Sequence, residues 1–315
     1  MKKILHYTFL LFSLLAVGFI AGCNKDDDAN PDKSDDPMEF LNSVNIKKIT
    51  AGSEVATFTY DNDGRLSSIS WTDSYQSSSF NWESEATYTF VYENSKLTKV
   101  SRKVDVKEEW EGEEYSESWE DEFIYSYNNN NQLTEIKIVE EGYDDIILKR
   151  AYNNEGLISK LVSITDEGVY TENFEWDGKN VSKVKMYGNR ESHARKSLVN
   201  RNSRKNSSIL NLTGARINND GVFEAETVYT GYDNKKNPFH VLTLIQEDPN
   251  FFFYSANNPG KSLYQSYDEA GEDVLYEWTE NFSYQYNEEG YPTQITVNGT
   301  EDGFPTNYSI QVEYK

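Results

Sequence analysis

Two short stretches of this 315-residue chain concentrate residues that can do chemistry. The first, EEWEGEEYSESWEDE from Glu108 to Glu122, holds nine acids among fifteen residues, set around Trp110, Tyr115 and Trp119. Indole and phenol faces stack on sugar rings and carboxylates accept from sugar hydroxyls or take Ca²⁺, so the stretch reads as a ligand-binding rim. The competing reading is a solvated hairpin whose aromatics cover a sheet. The second, RESHARKSLVNRNSRK, carries Arg190, Arg195, Lys196, Arg201, Arg204 and Lys205 against one acid, Glu191. On an acidic protein it is an electrostatic docking loop for an anionic partner, or a loop that rests on the acidic stretch.

Other motifs assign little. His193 and His240 form no HExxH or other metal-spaced pair. Gly260-Lys261-Ser262 has the ending of a phosphate-binding loop, but Ser255 stands where its first glycine belongs. Asp61-Asn62-Asp63-Gly64 lacks the later glutamate of a calcium loop. The 53 acids offer many carboxylate pairs for glycoside hydrolysis and single out none. The expectation is no catalytic residue, no metal and no cofactor, with an enzyme not indicated.

The formal charge of −23 repels phosphate backbones, which removes nucleic acid from the expected partners. Yet 14% of the residues are aromatic, 23 of them Tyr, and Tyr suits half-buried pleated surfaces. Disorder is not the reading for the body of the chain.

At the N-terminus, Lys2 and Lys3 precede an apolar run from Tyr7 to Ile20, too short for a comfortable membrane span. The run ends in Ile20-Ala21-Gly22-Cys23, which resembles the lipobox of bacterial lipoproteins. That resemblance implies cleavage after residue 22 and a lipid on Cys23, the single cysteine of the chain. Residues 23–43 are rich in Asp, Asn, Pro, Ser and Lys with no apolar pattern, and read as a flexible acidic linker. Asn24-Lys25-Asp26-Asp27-Asp28 is similar to the signal that sends Bacteroidetes lipoproteins to the outer surface. Residues 44–315 are read as a single domain with a basic loop near 188–221.

That domain repeats one phrase. FTYDNDGRLSSI at Phe58 nearly returns as YQYNEEGYPTQI at Tyr284, and seven copies centre on Tyr60, Tyr92, Tyr127, Tyr152, Trp176, Tyr232 and Tyr286. Each reads as a hairpin: an alternating strand ends at the aromatic, polar residues turn, and a second strand starts at the next apolar residue. Gly64, Asn131, Gly156 and Gly290 occupy the place where a type I turn with a G1 bulge needs positive φ; Lys236 breaks that rule. Asp177-Gly178 suits a tight two-residue turn. Period-two patterning throughout predicts an all-β, antiparallel up-and-down meander of about 14–16 strands. A closed soluble barrel is the first choice, because closure removes edges; a curled single sheet or a sandwich is the alternative.

The Tyr-Asp-x-x-Gly-x-Leu phrase is similar to the YD repeats of large bacterial surface proteins. With YDNKKNPF (Tyr232 to Phe239), YNEEGYPTQI and the lipobox, the chain resembles an uncharacterised family of Bacteroidetes lipoproteins with a porin-like β fold. The resemblance implies a β architecture and an envelope location, on the outer membrane and surface-exposed or facing the periplasm, and implies no reaction. A mean hydropathy of −0.76 and polar residues on both strand faces argue against a spanning pore. The membrane is then met through the lipid anchor alone. Two functions follow: binding of a glycan, lipid or other apolar ligand at the barrel mouth, or a structural or adhesive surface with a protein partner. A hydrolase is the third reading.

Overall fold

The computed structural model describes residues 45–77, 80–110, 113–166, 168–188, 222–245, 251–268, 271–301 and 304–315. Cys23, the linker and the basic residues Arg190, Arg195, Arg201 and Arg204 lie outside the described residues.

Sixteen strands follow in order. They are β1 (Ile46–Ala51), β2 (Glu54–Tyr60), β3 (Leu66–Gln76), β4 (Phe80–Glu93), β5 (Lys96–Trp110), β6 (Glu113–Tyr127), β7 (Leu133–Glu140) and β8 (Ile146–Tyr152). β9 (Ile158–Ile164), β10 (Val169–Asp177), β11 (Asn180–Gly188), β12 (Val222–Thr230), β13 (Lys261–Tyr267), β14 (Val274–Tyr286), β15 (Pro292–Glu301) and β16 (Phe304–Tyr314) complete the set. Each pairs antiparallel with its sequence neighbours, and β1 pairs with both β2 and β16, so the sheet closes into an up-and-down barrel. The expected all-β meander, its strand number and its closure are all present.

The repeats fold as their residue types require. Asp61, Asn128, Asn153 and Asn287 sit at the same place in four turns, and one side-chain oxygen of each accepts backbone N–H bonds two and four residues on. Gly64, Asn131, Gly156 and Gly290 close these turns at φ of 81°, 63°, 83° and 83°. In each case the pairing register slips at the aromatic that opens the phrase, which is the expected bulge. The tight turn after β10 has Gly178 (φ 58°) as its first central residue, one place later than Asp177-Gly178 would put it.

The aromatics of the phrase do more than end strands. The Tyr92 hydroxyl donates to the Leu66 carbonyl, Tyr127 to Leu97, Tyr152 to Leu133, and the Trp176 indole to Ile158. In each pair the acceptor opens the returning strand of the preceding hairpin, so every copy is latched to the one before it. Tyr60 to Ile46 and Tyr314 to Pro292 carry the same bond to the seam.

The copy at Tyr232 departs from the hairpin reading. After Asp233 the chain does not return as a strand; Asn237-Pro238 leads into a 3₁₀ helix at Phe239–Leu244, and a second follows at Phe251–Tyr254. A sixteen-strand circumference encloses more volume than wall side chains fill. This β12–β13 connection supplies the missing apolar bulk as an internal plug. Phe252 meets Tyr229 of β12 and Phe282 of β14, and Phe251 and Tyr254 meet Phe174 of β10 edge-on. From the opposite wall the Tyr125 hydroxyl reaches the Leu244 carbonyl and Arg150 Nη2 reaches the Thr243 carbonyl, both at 2.7 Å. Each buried Phe contributes roughly 2 kcal/mol of apolar transfer. Buried Asn237 stitches the plug, donating to the carbonyls of Phe252 and Ser255 and accepting from the Phe239 N–H.

Directly opposed residues share a face of the sheet, which sorts the wall. Inward stand Ile49, Phe58, Ile69, Tyr88, Val100, Phe123, Ile136 and Val297, all buried. Outward stand Glu83, Glu85, Thr87 and Thr89 of β4 against Lys107, Asp105, Lys103 and Ser101 of β5. Ion pairs such as Lys47–Glu313, Lys99–Glu122, Lys183–Glu226 and Lys185–Glu175 decorate the same outer surface.

Candidate ligand-binding faces at one end of the barrel

The seven copies of the phrase, the plug and the two ends of the described barrel, Asn45 and Lys315, gather at one end; the Lys315 N–H donates to the Asn45 carbonyl there. The acidic hairpin, the last residue of β11 and the first of β12 belong to the other end by strand direction.

At that other end β3 to β6 outgrow their neighbours. β6 runs 15 residues, but its pairing with β7 starts only at Asp121. Residues Glu113 to Glu120 therefore project roughly 25 Å past β7, at about 3.4 Å per residue. Register puts Trp110 opposite Phe80 and Glu113, Tyr115 opposite Glu108, and Trp119 opposite Val104, so all three predicted aromatics share the inward face of this overhang. Their roles differ. Trp119 packs against the core. Trp110 and Tyr115 are 61% and 54% exposed.

The structure adds partners that the motif did not show. Phe80 lies 5.6 Å from Trp110 and 6.3 Å from Tyr75, centroid to centroid, which makes an aromatic run across β3, β4 and β5. Deeper on the same face Trp82 is buried with its Nε1 lacking a hydrogen-bond partner among the described residues. The Tyr115 hydroxyl donates to Glu117, and that carboxylate raises the phenol pKa. Alternation alone could have flagged Tyr75 and Phe80, since each lies at an inward position of its strand; only pairing sets them beside Trp110.

Below the overhang, Arg102 and Asp121 face each other across β5 and β6, inside the barrel. Arg102 Nε lies 3.0 and 2.8 Å from the two carboxylate oxygens, Nη2 also bonds Asp121, and the guanidinium covers the Phe123 ring. Asp121 is only 3% exposed. Such a bidentate pair offsets the desolvation of both charges, and losing either partner strands the other.

A second raised wall is made by β14, β15 and β16, on the other side of the short β1–β2 hairpin. Its inward face carries Trp278, Glu280 and Phe282 on β14, Gly299 on β15, and Thr306 and Tyr308 on β16. Glu280 accepts from Ser262 of β13 at 2.6 Å. Burial, with Glu280 and Glu54 nearby, raises the Tyr308 hydroxyl pKa. Glu54 itself is raised to about 7 by burial and by Asp73.

Gly260-Lys261-Ser262 has a structural explanation. A Cβ at Gly260 would come within 2.6 Å of the Gly231 carbonyl oxygen, where the two ends of the plug connection cross. Among the described residues no three His, Cys, Asp or Glu side chains are placed to share a metal ion. Sequence reading also missed a related turn at the opposite end: after Tyr267-Asp268 the Gly271 (φ 72°) N–H bonds the Asp268 carbonyl, but the loop is one residue longer, the Asp268 N–H bonding the Asp273 carbonyl. Its period falls between the Tyr232 and Tyr286 copies, where the plug breaks the spacing.

No protein-family model matches the chain, and no curated protein matches it. Among solved structures it is similar to a porin-like protein from Bacteroides uniformis, at 12% identity and a TM-score of 0.48, covering 86% of this chain and 98% of that one. A porin-like protein from Bacteroides vulgatus is similar at 13% identity and a TM-score of 0.36, covering 86% and 99%.

Proposed function

We propose that this is a lipid-anchored envelope protein that holds a glycan or apolar ligand against the inner aromatic face of its barrel and catalyses no reaction. The observation that carries this reading is the overhang of β3 to β6, which presents exposed Trp110 and Tyr115 beside Tyr75 and Phe80 on a face turned toward the barrel axis. Aromatic rings exposed on a concave wall and bordered by Glu108, Glu113 and Glu117 offer stacking together with hydrogen-bond acceptors.

The outer surface supports tethering over spanning. A membrane barrel needs an unbroken apolar outer band about 25 Å tall, whereas lysine, glutamate, serine and threonine fill the outward positions of β4 and β5.

The test is a glycan and lipid array probed with the full-length protein and with its Trp110→Ala/Tyr115→Ala variant. Binding that the double substitution removes supports the reading; wild-type protein that binds nothing on either array overturns it. A protein-partner role is favoured by one other feature, the exposed Leu275 and Phe304 (69% and 75%) at the top of the second wall. That reading takes over if the arrays are blank and Leu275→Ser/Phe304→Ser abolishes attachment of whole cells to a protein-coated surface.

A further inference from the structure

Gly299 interrupts an otherwise filled row on the second wall. The row runs Tyr229, Ser262, Glu280, Gly299, Thr306 across β12 to β16, each opposite the next and all inward. Gly299 has no side chain, so the inward row is broken between Glu280 and Thr306. Trp278, one inward place along β14 from Glu280, and Tyr308, one inward place along β16 from Thr306, flank the break too.

The polar atoms around this gap are in an unusual state. Trp278 Nε1, Thr306 Oγ1 and Tyr308 OH are all shielded from solvent and lack a hydrogen-bond partner among the described residues. Leaving a buried polar atom unbonded costs on the order of 1–3 kcal/mol. In native structures such atoms are few and each calls for an explanation, of which a bound partner is one. Tyr264 of β13, directly opposite Trp278, adds a second aromatic ring on that face and meets Tyr276 edge-on.

Complementarity selects the ligand class. Trp278 Nε1 only donates and a carboxylate only accepts, whereas Thr306 and Tyr308 do both. A cation gives the indole nothing to bond, and a lipid chain gives the carboxylate nothing. An acidic sugar would have to bury a second carboxyl group beside Glu280, which is itself 6% exposed. A neutral sugar hydroxyl donates and accepts from one atom, and the ring beside it stacks on an aromatic face. Resting on the ligand-binding reading above, we infer that the break in the inward row at Gly299, flanked by Trp278, Glu280, Thr306 and Tyr308, opens to bind a neutral saccharide. Trp278 and Tyr308 are only partly buried, so the sugar reaches them across their rings and a small side-chain rotation brings their polar atoms onto it.

Isothermal titration of the full-length protein in detergent micelles, with maltotriose, cellotriose, diacetylchitobiose and trigalacturonate, tests this. At least one neutral sugar is expected to bind, trigalacturonate at least about 10-fold more weakly because of Glu280. Thr306→Val and Trp278→Phe, which keep shape and lose a polar group, should each weaken that sugar about 5- to 10-fold, and Gly299→Val about 50-fold or more. Folding of each variant is checked by its unfolding midpoint, and Thr306→Val decides the matter if Gly299→Val is unstable. Neutral-sugar binding that survives all three changes but is lost in Trp110→Ala/Tyr115→Ala overturns this site and leaves the broader reading standing. Equal binding of trigalacturonate, or lipid binding with no sugar binding, also overturns it alone. No ligand in either assay overturns both.

Discussion

The Tyr127 hydroxyl donates to the carbonyl of Leu97 at 2.9 Å, joining the end of β6 to the start of β5. The same bond recurs from copy to copy, so the aromatic of the repeat works as a latch on the preceding hairpin. Its ring packs against the core while its oxygen satisfies a backbone acceptor beside a turn. An up-and-down barrel has only neighbour contacts to hold its rim in order, and a ring of latches ties adjacent hairpins where the turns are.

Tyr127→Phe should therefore lower stability by about 1–2 kcal/mol, since it keeps the ring and strips one hydrogen bond from a carbonyl. Tyr152→Phe should do the same through Leu133. Urea unfolding followed by tryptophan fluorescence measures both. An effect below about 0.3 kcal/mol in each would mean that the hydroxyl is incidental and packing alone holds the rim.

The turns make a paired prediction. Gly64 sits at φ 81° and nothing lies within 4 Å of the Cβ an alanine would add, so Gly64→Ala isolates the backbone cost. A loss of about 1 kcal/mol is expected. Asn131, in the equivalent place at φ 63°, should accept glycine with little change or a slight gain. Thermal midpoints of the two variants moving in the same direction by similar amounts would contradict this account.

Two groups make stability depend on pH in opposite senses. His240, half-buried in the plug, is pushed down to about 4 by desolvation. Between its ordinary 6.5 and that value the unfolded chain binds a proton that the fold does not. Its share of stability is complete above pH 6.5 and is lost as the pH falls toward 4, by at most about 3.5 kcal/mol at roughly 1.4 kcal/mol per unit. Glu54, raised from 4.5 to about 7, behaves in reverse: its favourable share is present below pH 4.5 and is lost as the pH climbs through 7. Urea midpoints at pH 4.5, 6 and 8 should show the acid-side fall shrink in His240→Gln and the alkaline-side fall shrink in Glu54→Gln. Unchanged profiles in both variants would refute the assignment.

Much of the architecture was legible because the repeat is local physics. Asp61, Asn128, Asn153 and Asn287 turn the chain through their own neighbours' N–H groups, and strand alternation on either side needs no distant partner. The same grammar failed at Tyr232, where Asn237-Pro238 and the Phe-rich run behind it serve the interior and not a hairpin. Trp110, Tyr115 and Trp119 share one face of the overhang, but exposure divides them, with Trp119 taken into the core.

By itself, then, the sequence determined most strands and turns, a count of about 14–16 strands and their order, since each depends on residues a few places apart. Tertiary structure alone decided that Ile46 meets Tyr314, that Arg150 and Tyr125 clamp a plug about a hundred residues downstream, and that Glu280 and Thr306 flank Gly299. Those contacts depend on closure, and closure depends on filling a wide interior, a condition that no short stretch of the chain can express.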